Sequence, residues 1–151
     1  MEYVQERVAT LHDLADADPD APTDRAAVVV PMTDREYGGL AAERVLSELA
    51  ALDVSRVVVP LRAPAERVPD VVDWLSSYDL PLQVLWCNAP DVADLLDAHG
   101  LENGFGKGRD VWLALGVAAR EADYVVVHDA DAKTYTARHV RRLLAPLAGD
   151  F

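Results

Sequence analysis

Tyr124-Val125-Val126-Val127-His128-Asp129-Ala130-Asp131 joins a run of β-formers to two carboxylates spaced i, i+2. The run reads as a buried strand of a parallel sheet, apolar on both faces. Where such a strand ends, the chain leaves the C-terminal edge of the sheet, and open α/β sheets bind their ligands at that edge. Asp129 and Asp131 fall there. Two carboxylates make a hard, oxygen-rich site suited to Mg2+ or Mn2+, and through the metal to a diphosphate. An acidic turn in which an aspartate caps the next helix accounts for the pair equally well.

Upstream, strands and helices alternate. Residues 26–31 (AAVVVP) predict a strand, and 39–52 a helix with Leu40, Val45, Leu46 and Leu49 inward. Residues 56–60 (RVVVP) predict a second strand, and 65–77 a helix striped by Val68, Val71, Val72 and Leu75. Residues 82–87 (LQVLWC) form a third strand. Asn88 is placed to N-cap a short helix with Pro90 in its first turn, running to about His99. A glycine-punctuated loop over 100–106 leads to a helix over 108–121 and then to the strand of the opening stretch. Thr136 is placed to cap a last helix carrying Val140, Leu143, Leu144 and Leu147. Apolar strands alternating with helices predict an α/β domain with a mainly parallel sheet covered on both faces. Right-handed crossovers make it Rossmann-like and doubly wound. Ahead of this domain (26–151) stand an amphipathic helix over 1–17, with Val4, Val8, Leu11 and Leu14 at helical spacing, and a polar, proline-broken linker over 18–25.

The 151 residues suffice for one domain with a proper core. No apolar run is long enough to span a bilayer, and the start lacks a secretory leader. Cys87 is the only cysteine, so no intrachain disulfide can form. These features together predict a cytoplasmic protein. The 26 acidic residues outweigh the 14 basic ones, for a net charge of −12. Nearly all the bases are arginine; Lys107 and Lys133 are the lysines. An aspartate-rich, lysine-poor chain fits a halophilic host, where salt screens self-repulsion. It also lacks a basic patch for nucleic-acid phosphates.

The first strand runs into Val30-Pro31-Met32-Thr33-Asp34-Arg35-Glu36, without the glycine fingerprints of dinucleotide or P-loop folds. Thr33, Asp34 and Glu36 suit hydrogen bonds to a base or ribose; a solvated loop with an N-cap explains them more plainly. Gly106-Lys107-Gly108 opens a helix. Flanking glycines admit close approach to the backbone, and a helix N-terminus with an ammonium group attracts anions. A flexible loop with a chance lysine is the simpler account. His128 reads as structural rather than as a metal ligand. His12, His99 and His139 read as surface helix residues with no zinc spacing. Cys87 reads as a buried thiol, and Trp74, Trp86 and Trp112 as core. Arg138, Arg141 and Arg142 read as a solvated basic face.

Taken in order, the VVVP-M-T-D-R-E strand end, the G-K-G helix start and the D-A-D strand end resemble nucleotide-sugar glycosyltransferases of the type-A fold. The chain is most similar to glucosyl-3-phosphoglycerate synthases and related mannosylglycerate-type enzymes, over roughly residues 26–147. The resemblance implies a uridine or guanosine pocket lined by Pro31, Met32, Thr33 and Glu36, with Leu61 and Arg62 bordering ribose and base. It implies Lys107 at the diphosphate or base, Asp129 toward the ribose or sugar, and Asp131 toward a divalent Mg2+ or Mn2+. It implies transfer of a hexose from a UDP- or GDP-sugar to a small acceptor such as a phosphoglycerate. The family carries Asn-Glu where this chain has Asp34-Arg35-Glu36. Its members are also longer, with an acceptor half and a further metal-ligating histidine beyond the donor half.

Two other functions fit the same residues. A haloacid-dehalogenase-like phosphoryl-transfer enzyme uses a D-x-D-x-[TV] run with the first aspartate as nucleophile; here Thr134 comes one position late. A non-catalytic nucleotide-binding α/β module suits the short chain. The oligomeric state stays open, with a homo-oligomer formed through the N-terminal helix as one option.

Overall fold

The computed structural model describes residues 18–101 and 104–148. The amphipathic helix expected over 1–17 lies outside the described residues. Five strands form one sheet, all paired in parallel: β1 (Ala26–Val29), β2 (Met32–Thr33), β3 (Arg56–Arg62), β4 (Leu82–Trp86) and β5 (Tyr124–Val127). Five α-helices connect and cover them: α1 (Leu40–Ala50), α2 (Val68–Ser76), α3 (Pro90–Ala98), α4 (Lys107–Ala118) and α5 (Arg138–Ala148).

β1 and β2 are two pieces of one line along β3. Val29 pairs with Val58 and Met32 with Leu61, so the register carries straight across the gap. Pro31 has no N–H to donate, which breaks the ladder there. The sequence predicts loop after Pro31; the structure instead resumes the strand for two residues. With β2 merged into β1, the spatial order is β4-β3-β1-β5. Strand order reverses between β1, whose crossover goes to β3 on one side, and β5 on the other. That is the switch point at which open parallel sheets form a ligand crevice.

Both faces of the central strands are buried, as continuous apolar runs require. Val28, Val30, Val57, Val59 and Leu61 pack in one cluster with Val45, Leu46 and Leu49 of α1, Val71 and Leu75 of α2, and Val140 and Leu144 of α5. On the opposite face, Ala27, Val29 and Val58 meet Ala114 and Ala118 of α4. The small alanines let α4 lie close to the sheet, so its first turn comes near the strand ends. Residues 18–25 are docked rather than loose. Ala21 packs on the main cluster, and Asp18 accepts from Arg141 at 2.9 Å. The basic face of α5 is thus tied down at Arg141 rather than merely solvated.

Three local expectations are corrected. Asn88 does not cap α3: its Oδ1 accepts from Ala63 N at 3.0 Å and its Nδ2 donates to Ala63 O at 2.9 Å, bracing the end of β3. Trp112 is not core but 55 % exposed, because it lies on the outer side of α4. Thr136 meets the His139 ring, and the carboxylate at the entrance to α5 is instead Glu48 of α1, which accepts from Ala137 N at 2.9 Å.

Candidate functional site: a cleft at the switch point

An open cleft lies over the C-terminal ends of β1, β3 and β5 and the start of α4. Its walls are Pro31, Met32, Thr33 and Glu36 after β1, Arg62 at the end of β3, Lys107 and Asp110 on α4, and Asp129, Ala130 and Asp131 after β5. Four separate chain segments are brought together by the sheet. Of the residues that the family resemblance implies at the site, Leu61 alone does not line it. Its side chain has no exposed surface and belongs to the core cluster. Period-two alternation along β3 puts Leu61 inward and its neighbour Arg62 into the cleft.

The same alternation governs the acidic pair. Ala130 is 4 % exposed and packs in the core, so Asp129 and Asp131 flank it on the cleft side. His128 turns the other way. It stands edge-on to Tyr135, with ring centroids 4.8 Å apart. Burial holds its pKa down to about 4, with His139 adding to the effect and Asp129 opposing it. It packs as a neutral ring outside the cleft, and His139, though exposed, stacks on Tyr135.

Lys107 forms an ion pair with Asp129. Both side chains are exposed, so water screens the pair and it is easily rearranged by an arriving anion. The first turn of α4 is fixed from below. Asp110 Oδ2 accepts from Arg62 Nε at 3.0 Å, and Arg109 donates to Cys87 O at 2.7 Å while lying over the Phe105 ring. These two contacts anchor α4 to the ends of β3 and β4 and thereby place Lys107 and the positive end of the helix at the cleft. A Cβ added at Gly106 or Gly108 would meet no protein atom. Packing within the protein therefore does not demand glycine at either position.

On the other wall, Glu36 folds back on the strand end. Its Oε2 accepts from Thr33 N at 2.6 Å and from Thr33 Oγ1 at 2.8 Å. Gly38, at φ +64°, turns the chain into α1 behind it. The second Glu36 oxygen stays available to a hydroxyl or N–H. Asp34 is not among the residues lining the cleft. Cys87 has no exposed surface, and burial pushes its thiol up to about 12, so it is no nucleophile.

Asp110 lines the cleft without having been singled out from sequence. Its spacing from Lys107 was the available signal, since residues three apart share a helix face.

The chain is similar to glucosyl-3-phosphoglycerate synthases. It is 28% identical to the one from Methanococcoides burtonii over 97% of this chain and 40% of that protein. It is 29% identical to the one from Persephonella marina over 80% of this chain and 32% of that protein. The chain thus spans less than half the length of these curated relatives. No family model matches the chain. Similarity over nearly the whole chain supports the type-A glycosyltransferase resemblance seen in its motifs, and the parallel sheet agrees with it. Among the described residues no helix is long and apolar enough to cross a membrane.

The cleft's donor set fits a hard divalent cation of limited kind. Asp129 and Asp131 offer carboxylate oxygens, and among the described residues no group of three His, Cys, Asp or Glu side chains is placed to hold a metal. Mg2+ and Mn2+ are commonly held by one or two carboxylates together with substrate phosphates and water, which matches this pair.

Proposed function

We propose that the chain is the donor-binding half of a metal-dependent glycosyltransferase, moving a hexose from a UDP- or GDP-sugar to a small acceptor of the phosphoglycerate kind. The observation that carries this reading is the convergence of an acidic pair, a lysine at a helix start and a polar strand end on one cleft at the sheet's switch point. Similarity to relatives named glucosyl-3-phosphoglycerate synthase supports the same chemistry.

Each part has a physical task. Lys107 and the N-terminus of α4 attract the diphosphate. Asp131, with Asp129, would hold Mg2+ or Mn2+; when bound, that ion supplies Lewis-acid stabilisation to the diphosphate as it leaves the sugar. Thr33 and Glu36 offer hydrogen bonds to a ribose or base.

The test is calorimetric titration of UDP, GDP and their hexose conjugates in high salt, with and without Mn2+. Metal-dependent binding is expected in the wild type and its loss in Asp131→Ala. Lys107→Ala should weaken diphosphate binding while leaving thermal stability nearly unchanged, because its ion pair is exposed. Binding that ignores both Mn2+ and Asp131→Ala would sink the metal role. Tight binding with no turnover, even beside the remaining half of a relative, would favour a nucleotide-binding module.

A further inference from the structure

The two carboxylates of the acidic pair are not equally open to a cation. Lys107 Nζ donates to Asp129 Oδ1 and forms an ion pair with it. Asp131 has no hydrogen bond or ion pair among the described residues. One carboxylate is therefore accessible, and the other is taken by a cation of the protein's own.

No neighbour in the cleft can relieve Asp129 of the lysine. Asp110 is 2 % exposed, with Oδ2 3.0 Å from Arg62 Nε and Oδ1 shut off from water. Glu36 is folded back on Thr33 at the opposite wall. A divalent ion that came alone to Asp129 would displace the lysine and leave its ammonium beside it, without an anion. Like charges at such a separation repel. Lys107 itself is free to move, because its side chain is 58 % exposed and stands at the very start of α4. What it lacks is another anion.

Resting on the reading of this cleft as a nucleotide-sugar site, we infer that Lys107 is a latch, which withholds Asp129 from a metal until a nucleoside diphosphate draws the lysine away. A diphosphate carries more charge than one carboxylate. It also faces the N-terminal end of α4, whose dipole adds to the pull of the ammonium. Lys107 follows the phosphates, and Asp129 joins Asp131 as a ligand for the ion. Metal and nucleotide thereby raise each other's affinity, and by the same factor. A protein of net charge −12 has a use for such a latch. Stray divalent cations gather at an acidic surface, and the latch reserves the site for an ion that arrives with its nucleotide.

The test counts bound Mn2+ by its paramagnetic resonance signal, with and without UDP or GDP, at about 0.1 M KCl to limit screening of the pair. Lys107→Met keeps the stem of the side chain and removes its charge. Lys133→Met controls for net charge, since Lys133 lies two positions past Asp131 but does not line the cleft. Without nucleotide, Lys107→Met should bind Mn2+ about twofold to fivefold more tightly than the wild type, the worth of an exposed ion pair. Lys133→Met should bind it as the wild type does. With nucleotide bound the gain should vanish, because the wild-type lysine has then already left Asp129. The inference is overturned if Lys107→Met alone binds Mn2+ no more tightly than the wild type. An equal gain in Lys133→Met overturns it too, as an effect of net charge. So does an equal gain with nucleotide present, which would mean fixed repulsion. In each of these cases the donor-site reading stands as long as nucleotide binding requires Mn2+. If no nucleotide binds the wild type under any condition, the latch has nothing to release it, and both fall.

Discussion

His128 keeps its Nε2 away from water and without a partner among the described residues, edge-on to Tyr135. Its pKa is lowered from 6.5 to about 4, chiefly because burial penalises the imidazolium. Between those two values the unfolded chain binds a proton that the folded chain refuses. Stability is therefore intact above pH 6.5 and is lost as pH falls toward 4. Because the ring is only half-buried, the loss is discounted for screening to on the order of 2 kcal/mol. Urea unfolding at pH 7 and pH 4.5 should show a larger drop for the wild type than for His128→Asn. Equal drops would mean that the carboxylates alone carry the acid sensitivity. His128 also marks what was legible in the site. Strand alternation was enough to turn it away from the cleft and to put Asp129 and Asp131 on the other side of Ala130. The same rule, carried one strand further, would have placed Leu61 in the core; the family resemblance argued otherwise for that position. Asp110 stayed hidden because a buried charge is visible only once its burial is known. Its spacing from Lys107 put it on the lysine's helix face, but that does not separate a buried Asp from a surface residue that complements the helix dipole.

The elements are joined by contacts that no local pattern announces. Glu48 on α1 accepts from Ala137 N, across 89 positions of sequence. It stands where α5 begins and so satisfies a backbone donor that the helix itself cannot. Its charge also faces the positive end of that helix. Glu48→Ala should lower stability by about 1–2 kcal/mol, read as a Tm lower by a few degrees. Glu48→Gln, which keeps an acceptor and loses the charge, should cost less than half as much. If Glu48→Ala leaves Tm unchanged, water has replaced the cap and the contact is dispensable. The helices and the four main strands were readable because their patterns are clear: continuous apolar runs for strands buried on both faces, and a 3.6-residue period for the apolar stripes of the helices. Caps were not, since Thr136 and Asn88 satisfy every local rule for capping and a distant carboxylate or carbonyl outcompeted them. Trp112 likewise sits among apolar neighbours in sequence, but α4 covers the sheet with its alanine side and leaves the indole outside. The resumption of the strand after Pro31 was obscured by the proline, which interrupts the ladder without ending the line.

At the scale of the whole molecule, the dominant physical fact is a net charge of −12. Two salt effects oppose each other. The described ion pairs Arg25–Asp123, Arg56–Glu121, Arg67–Asp70 and Arg141–Asp18 are all substantially exposed. Such pairs contribute little each, and salt takes away part of that little. Mutual repulsion among the excess carboxylates acts over the whole surface and is stronger in the compact state than in the expanded one. Raising salt from 0.1 to 1 M shortens the screening length from about 10 to about 3 Å. Treating the folded and unfolded chains as charged spheres, relief of repulsion should then favour folding by on the order of 2 kcal/mol. That exceeds the share of the exposed pairs that can be lost, so the balance falls on the side of stabilisation. Tm should rise between 0.1 and 1 M KCl, and chloride is the proper choice because sulfate would strengthen apolar burial by itself. A Tm that stays flat or falls over that range would mean that local pairing outweighs the global field. The excess aspartates would then have to be explained by solubility rather than by tolerance of salt. A rise would also fix the conditions for nucleotide titration. The cleft must attract a diphosphate to a protein that is itself strongly negative, and screening shortens the reach of that repulsion to less than the span of the site.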